Sequence, residues 1–195
     1  MADYTIISDI GSALVRILRE GMVPDVIPNA DAVGLCSPSD KGDFVLGLYL
    51  YDIRESEEVF ESSMRMSGQN QMRYPSRYLN LFYMLTAYSM SDIKFRSFEE
   101  HRILGRAIQV LQDHPVLDDI LHENSAASDR YPVRIEQQRL ENDEKMRLWN
   151  MPNVPYKLSM YYKVSPVELS SARTRKVPRV RRVDMDFVEM ERNGR

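Results

Sequence analysis

The sequence predicts a two-layer α+β sandwich with a mainly antiparallel or mixed sheet and helices packed on one face. Three stretches carry that expectation. Residues 79–89 read LNLFYMLTAYS, apolar on both alternating sides; residues 97–114 carry an apolar stripe at helical spacing; residues 156–164, YKLSMYYKV, alternate with a period of two. The order helix, strands, helix, strands favours segregated layers over regular strand–helix alternation.

The first helix is expected over residues 4–20, with Ile7, Ile10, Leu14, Ile17 and Leu18 buried, Ser8, Ser12, Arg16 and Arg19 outward, and Gly21 placed to end it. Residues 24–31 hold two prolines and read as a connector. A short strand at residues 32–36 stops at the turn signal Ser37-Pro38-Ser39-Asp40. The run FVLGLYLYDI, residues 44–53, puts Leu46, Leu48 and Leu50 on one face and Val45, Tyr49 and Tyr51 on the other, as a central or nearly central strand does. A polar connection over residues 54–77 then leads to a strand with Leu79, Leu81, Tyr83, Leu85 and Ala87 on one side and Tyr78, Phe82, Met84 and Tyr88 on the other. These two strands are expected to be neighbours, and both faces of the second need cover.

The second helix is expected to start at Ser97, closed by a capping box with Glu100, to bury Leu104, Ala107, Ile108 and Leu111, and to end before Pro115. Gly105 inside it costs about 1 kcal/mol against alanine, which a close backbone crossing there would explain. Residues 115–123 add a short helical segment and residues 124–130 a linker. Tyr131, Val133 and Ile135 alternate with Arg134 and Glu136 as a modest strand, and residues 142–149 read as a short helix packing Met146 and Trp149. In the last strand Leu158, Met160, Tyr162 and Val164 point inward, with Lys157, Ser159, Tyr161 and Lys163 on a wet face.

At 195 residues, with 43% apolar and 28% charged content, the chain suits one core. Residues 1–170 form the expected single domain and 171–195 a charged C-terminal extension. The body carries 18 basic and 25 acidic side chains and the extension 8 basic and 4 acidic, so a net charge of −3 conceals an acidic body and a basic tail. Within the tail, cations from Arg173 to Arg182 precede Asp184, Asp186, Glu189 and Glu191, with Phe187 as its one aromatic residue. A nucleic-acid arm would stay basic and interleave aromatics for stacking, so no nucleic-acid partner is expected. One cysteine, Cys36, excludes an internal disulfide and a thiolate metal cluster. Residues 1–20 read as an amphipathic helix and not as a signal peptide, and no apolar run is long enough for membrane insertion.

Reaction chemistry is not signalled. His101, His114 and His122 lack metal-ligand spacing; His101 falls on the apolar stripe as a packed side chain, His114 near the carbonyls of the last helical turn, and His122 close to Asp118 and Asp119, the best cluster for a site. Gly34, Gly42 and Gly47 are too dispersed to cradle phosphate, and Cys36 has no adjacent base to activate it. Asp184 and Asp186 read as surface charge. No cofactor, metal or enzymatic activity is expected. Long polar connections such as 54–77 are usually functional, and Met64, Met66 and Met72 within it offer an adaptable contact surface.

Taken together, MADYTIISDIGSALVRIL, CSPSD, LGLYLYDI, YLNLFYMLTAYS, HRILGRAIQVLQDHPVL and KLSMYYKVSPVEL resemble, in colinear order over about residues 3–170, the N-terminal domain of cap proteins of contractile injection systems. The resemblance implies a phage tail-terminator-like fold with no cofactor. It implies a structural cap: a homohexameric ring closing the distal end of the tube and sheath of a phage-tail-like particle. Such a chain is made in the cytoplasm and built into a particle that acts inside or outside the cell. Another phage-like tail-completion or connector protein is the alternative. By the family pattern MLTAYS and LGRAIQVL support the core. Contacts with tube, sheath or the adjacent subunit fall to the 54–77 loop and the tail, at Met64, Arg65, Met66, Met72, Arg73, Arg173, Arg175, Lys176, Arg179, Arg181 and Arg182.

Overall fold

The computed structural model of the chain describes residues 4–67, 70–117 and 131–176. Helix α1, Ile6–Met22, buries Ile6, Ile10, Leu14, Ile17 and Leu18 against a sheet. The chain then enters strand β1, Val33–Leu35, and strand β2, Leu46–Glu55, which run parallel. Short strands β3, Arg65–Met66, and β4, Gln71–Arg73, lead to the long strand β5, Arg77–Ala87. Helix α2, Ile93–Asp113, follows, then strand β6, Arg134–Gln137, helix α3, Asn142–Leu148, strand β7, Ser159–Leu169, and strand β8, Thr174–Lys176.

Five strands form the main sheet in the order β1-β2-β5-β7-β6, antiparallel except for the β1–β2 pair. The sheet is therefore mixed, and β2 and β5 are neighbours, as their apolar patterns predict. α1 and α2 cover one face. Their apolar residues meet Leu46, Leu48, Leu81, Tyr83, Leu85, Tyr162 and Val164 in one continuous core. Burial of that apolar surface is the main force holding the sandwich together.

The other face of the sheet is also covered, which the period-two reading of β7 did not anticipate. Met84, Trp149 and Tyr161 form a second buried cluster, with Tyr49, Tyr51, Leu140, Leu148 and Val154 packed around it. The segment containing α3 thus lies over the face assigned to water. Ser159 is buried as well, sharing a 2.7 Å hydroxyl–hydroxyl hydrogen bond with Thr86. Conversely Leu158, expected inward, is more than half exposed because it precedes the sheet pairing, and Met146 points to solvent while Leu148 and Trp149 anchor the α3 segment.

Helix boundaries also differ from expectation. α2 begins four residues before Ser97, so Ser97 is no cap, and Glu100 closes no capping box. Glu100 instead reaches back to the preceding loop, accepting from the Ser89 amide at 3.2 Å and from Lys157 Nζ at 2.6 Å. The buried stripe is Ile103, Leu104, Ala107, Val110 and Leu111, with Ile108 half-buried at its border and His101 exposed outside it. His114 does sit at the helix end, its Nδ1 2.9 Å from the Val110 carbonyl. α1 runs through Gly21 to Met22, so Gly21 does not stop the helix; it serves the crossing of α1 and α2. Nothing approaches Gly105 within 4 Å of where a Cβ would stand, so the close crossing inferred there is absent. Residues 118–130, including His122, Asp118 and Asp119, lie outside the described residues.

Candidate assembly interface

The 54–77 connection is not a plain loop. β3 and β4 pair antiparallel, and β8, beyond the main sheet in sequence, adds antiparallel to β4 to complete a second, three-stranded sheet in the order β3-β4-β8. Residues from two segments singled out in the sequence are thereby brought together. Arg65 faces Arg73, Met66 faces Met72, Met72 faces Arg175, and Arg73 faces Thr174.

Side chains alternate across a strand, so the small sheet has two distinct faces. Arg65, Arg73, Thr174 and Lys176 share one, and Met66, Met72 and Arg175 share the other. The first is tied to the body. The Arg65 guanidinium is paired with Glu61, lies 3.9 Å from Glu168, and donates to the Tyr78 hydroxyl at 3.4 Å. Glu61 also accepts from the Ser76 amide at 3.1 Å, and Glu168 from the Ser76 hydroxyl at 2.6 Å. Partial burial disfavours the charge on Arg65, and its hydrogen bonds to Glu61 and Tyr78 outweigh that, holding its pKa above the ordinary arginine value. These carboxylates also offset the repulsion expected of two arginines directly opposed across strands.

The second face is open. Met66 is 55% exposed, Arg175 is exposed and Met72 is half-buried, giving a thioether-rich row with a cation at one end. Met64 is half-buried just before β3. Beside the row, the Arg173 guanidinium stacks on the Tyr74 ring at 4.3 Å, and the Tyr74 amide donates to the Arg173 carbonyl at 3.1 Å. Methionine adapts to irregular partners and arginine supplies directional hydrogen bonds, so this combination suits protein contact. Arg179, Arg181 and Arg182 lie outside the described residues.

One apolar surface was missed in the sequence. Residues 92–98 at the N-terminal end of α2 are all exposed, with Ile93 at 81%, Phe98 at 75% and Phe95 at 63%, next to exposed Met90. The expected helix start at Ser97 left Ile93 and Phe95 outside the helix. The signal available was IKFRSF itself, three large apolar residues in six.

Catalytic chemistry has little material among the described residues. No group of three or more His, Cys, Asp and Glu is placed to hold a metal ion. Cys36 is half-buried, and burial raises its thiol pKa, away from nucleophile activation. No described helix is long and apolar enough to cross a membrane.

The architecture is thus a mixed five-stranded sheet with two helices on one face and a separate three-stranded platform. The family model described as the Pvc16 N-terminal domain matches residues 9–182, and the chain belongs to that family. Its fold is that of two solved structures. One is the sheath/tube terminator, in the extended state, of PVC, an extracellular contractile injection system, with a TM-score of 0.68 and 14% identity over 97% of this chain and 65% of that one. The other is the tube-terminating cap of the anti-feeding prophage, with a TM-score of 0.58 and 14% identity over 92% of this chain and 61% of that one. The chain therefore spans somewhat less than two thirds of each of those chains. No curated protein matches it.

Proposed function

We propose that this chain is a structural cap that terminates the tube and sheath of a contractile, phage-tail-like injection particle, working as a homohexameric ring and without a cofactor or a catalytic step. The observation that carries this reading is the fold: nearly the whole chain superposes on a sheath/tube terminator, within a family model covering most of its length. The particle is extracellular in the sheath/tube terminator structure; for this chain, synthesis in the cytoplasm and release or retention of the finished particle belong to the proposal.

The proposed contacts are Arg65, Met66, Met72 and Arg73 in the hairpin, with Met64 just before it, and Arg175 and Lys176 in β8, with Arg173 just before it and Arg179, Arg181 and Arg182 following in sequence. The convergence of Arg65, Met66, Met72, Arg73, Arg175 and Lys176 on one small sheet supports a shared role. A ring subunit must present two different surfaces, one to each neighbour, and the open methionine face and the exposed start of α2 are two such surfaces. Arg65 contributes from beneath, by fixing the platform to Glu61 and Glu168.

Native mass spectrometry of the purified protein with its tube and sheath proteins tests this reading. Six-subunit species that recruit tube or sheath support it. A monomer at all concentrations that recruits neither would reject it, and six-fold rings that join only a connector would favour the alternative tail-completion role.

A further inference from the structure

The exposed start of α2 combines apolar bulk with positive charge. Ile93, Phe95 and Phe98 are interleaved with Lys94 and Arg96, and all five are exposed. Lys94 has no partner among the described residues, and Asp92, at the N-cap, makes no side-chain bond to the helix. Cations beside the positive end of a helix dipole are unfavourable by themselves and favour the approach of carboxylates. A surface of opposite character lies at the far end of the sheet. Ser56, just past β2, donates its amide to the Tyr78 carbonyl at 2.7 Å, and the segment leaving it carries Glu57, Glu58 and Phe60, the last 80% exposed. Tyr131, 40% exposed, packs edge-on to the Tyr78 ring at 5.6 Å. Arg77 answers Glu55 at 3.3 Å, but Glu57 has no cation among the described residues, and Glu58 shares Lys163 with Glu136 at 3.5 and 4.0 Å. Acid is therefore in excess there. Phe60 adjoins Glu61, which holds Arg65, so this acidic patch borders the small sheet.

The two patches do not meet within one chain. Tyr78 lies at the start of β5, and the start of α2 lies beyond its end, where Glu100 holds the Ser89 amide. A strand of that length spans about 30 Å. We propose that the start of α2 in one copy docks on the Glu57–Phe60 patch of the next copy, head to tail, a contact that rests on the ring reading above. Phe95 and Phe98 then pack against Phe60 and Tyr131, and Lys94 and Arg96 face Glu57 and Glu58. Two unlike surfaces at opposite ends of a subunit are what a heterologous contact needs to pass around a ring. Aromatic side chains supply the buried area, and the opposed charges fix which end meets which. Neither patch matches itself, since copies paired α2 to α2 would set Lys94 and Arg96 against their own kind.

The test is charge exchange in the full-length chain, read by native mass spectrometry with the tube and sheath proteins present. One variant carries Lys94→Glu with Arg96→Glu, the other Glu57→Lys with Glu58→Lys. Each alone should raise the concentration needed for ring assembly by at least about tenfold, because like charges then face each other at every contact. Mixed in equal amounts, the two should form rings again with the variants in alternation, since every contact then joins opposite charges. All four positions are exposed, so circular dichroism should show both variants folded. Should either misfold, Phe60→Ser decides the matter: it should weaken rings, and unchanged rings would overturn the contact. Normal rings in the two charge variants, or no recovery on mixing, would overturn the contact and leave the ring reading standing. Mixed pairs that stop at two subunits would overturn the head-to-tail geometry. A parent chain that forms no ring would reject the ring reading and this contact together.

Discussion

Val110 fills the space above Gly21: a Cβ added at Gly21 would stand 2.6 Å from one Val110 methyl and 2.7 Å from the other. Val110 is buried and β-branched within a helix, so it has little rotamer freedom with which to yield. Gly21→Ala should therefore destabilise the fold by about 1–3 kcal/mol as overpacking exceeds the helix-propensity gain. Gly105→Ala, in open space on the same pair of helices, should stabilise it by up to about 1 kcal/mol. Chemical denaturation of the two variants checks both signs.

Leu111 is 2% exposed at the centre of the α1–α2–sheet core. Leu111→Ala should cost about 2–5 kcal/mol in urea unfolding, and a loss near zero would show that the α2 stripe is not buried.

The β3–β4 hairpin makes its strongest ties through Glu61, Arg65, Ser76 and Glu168, at the rim of the main sheet. Replacing residues 57–73 with a short Gly-Ser link should leave the five-stranded sheet folded, with near-native far-UV circular dichroism, while abolishing ring or tube binding. Loss of the folded core in this variant would make the hairpin part of the folding unit.

How far the sequence alone reached is instructive in the same elements. The core faces of β2 and β5 were legible because alternation states plainly which side each leucine and tyrosine takes. The cover over Tyr161 was not, since a tyrosine flanked by lysine and serine gives no sign that Trp149 and Val154 return across it. The start of α2 was misplaced because Ser97 and Glu100 imitate a capping box, whereas tertiary partners at Ser89 and Lys157 claim Glu100. For the contact surface, the residue types in 64–73 and 173–176 were readable; their union in one sheet depends on a pairing about 100 residues apart in sequence, which no local pattern encodes.

Burial raises the pKa of Tyr51, Tyr88 and Tyr162 to about 12, above the usual tyrosine value of 10. Their neutral forms are favoured by folding, so the folded chain holds protons that the unfolded chain has released between pH 10 and about 12. Stability from this source is complete below pH 10 and is lost as pH rises through that window. Alkaline titration followed by tyrosinate absorbance should show ionisation coinciding with unfolding; free titration of all tyrosines near pH 10 in a folded chain would contradict the burial.

The most direct measurement is a particle reconstruction by cryo-electron microscopy with this chain epitope-tagged, compared with a variant carrying Met66→Ser, Met72→Ser and Arg175→Gln. The account predicts six-fold density for this chain at one end of the tube and sheath, with the methionine face of the small sheet against a neighbouring subunit, and loss of that density in the variant while the purified variant remains folded. Particles whose ends lack the chain, or a chain seated there with the methionine face in solvent and the variant assembling as well as the parent, would contradict it.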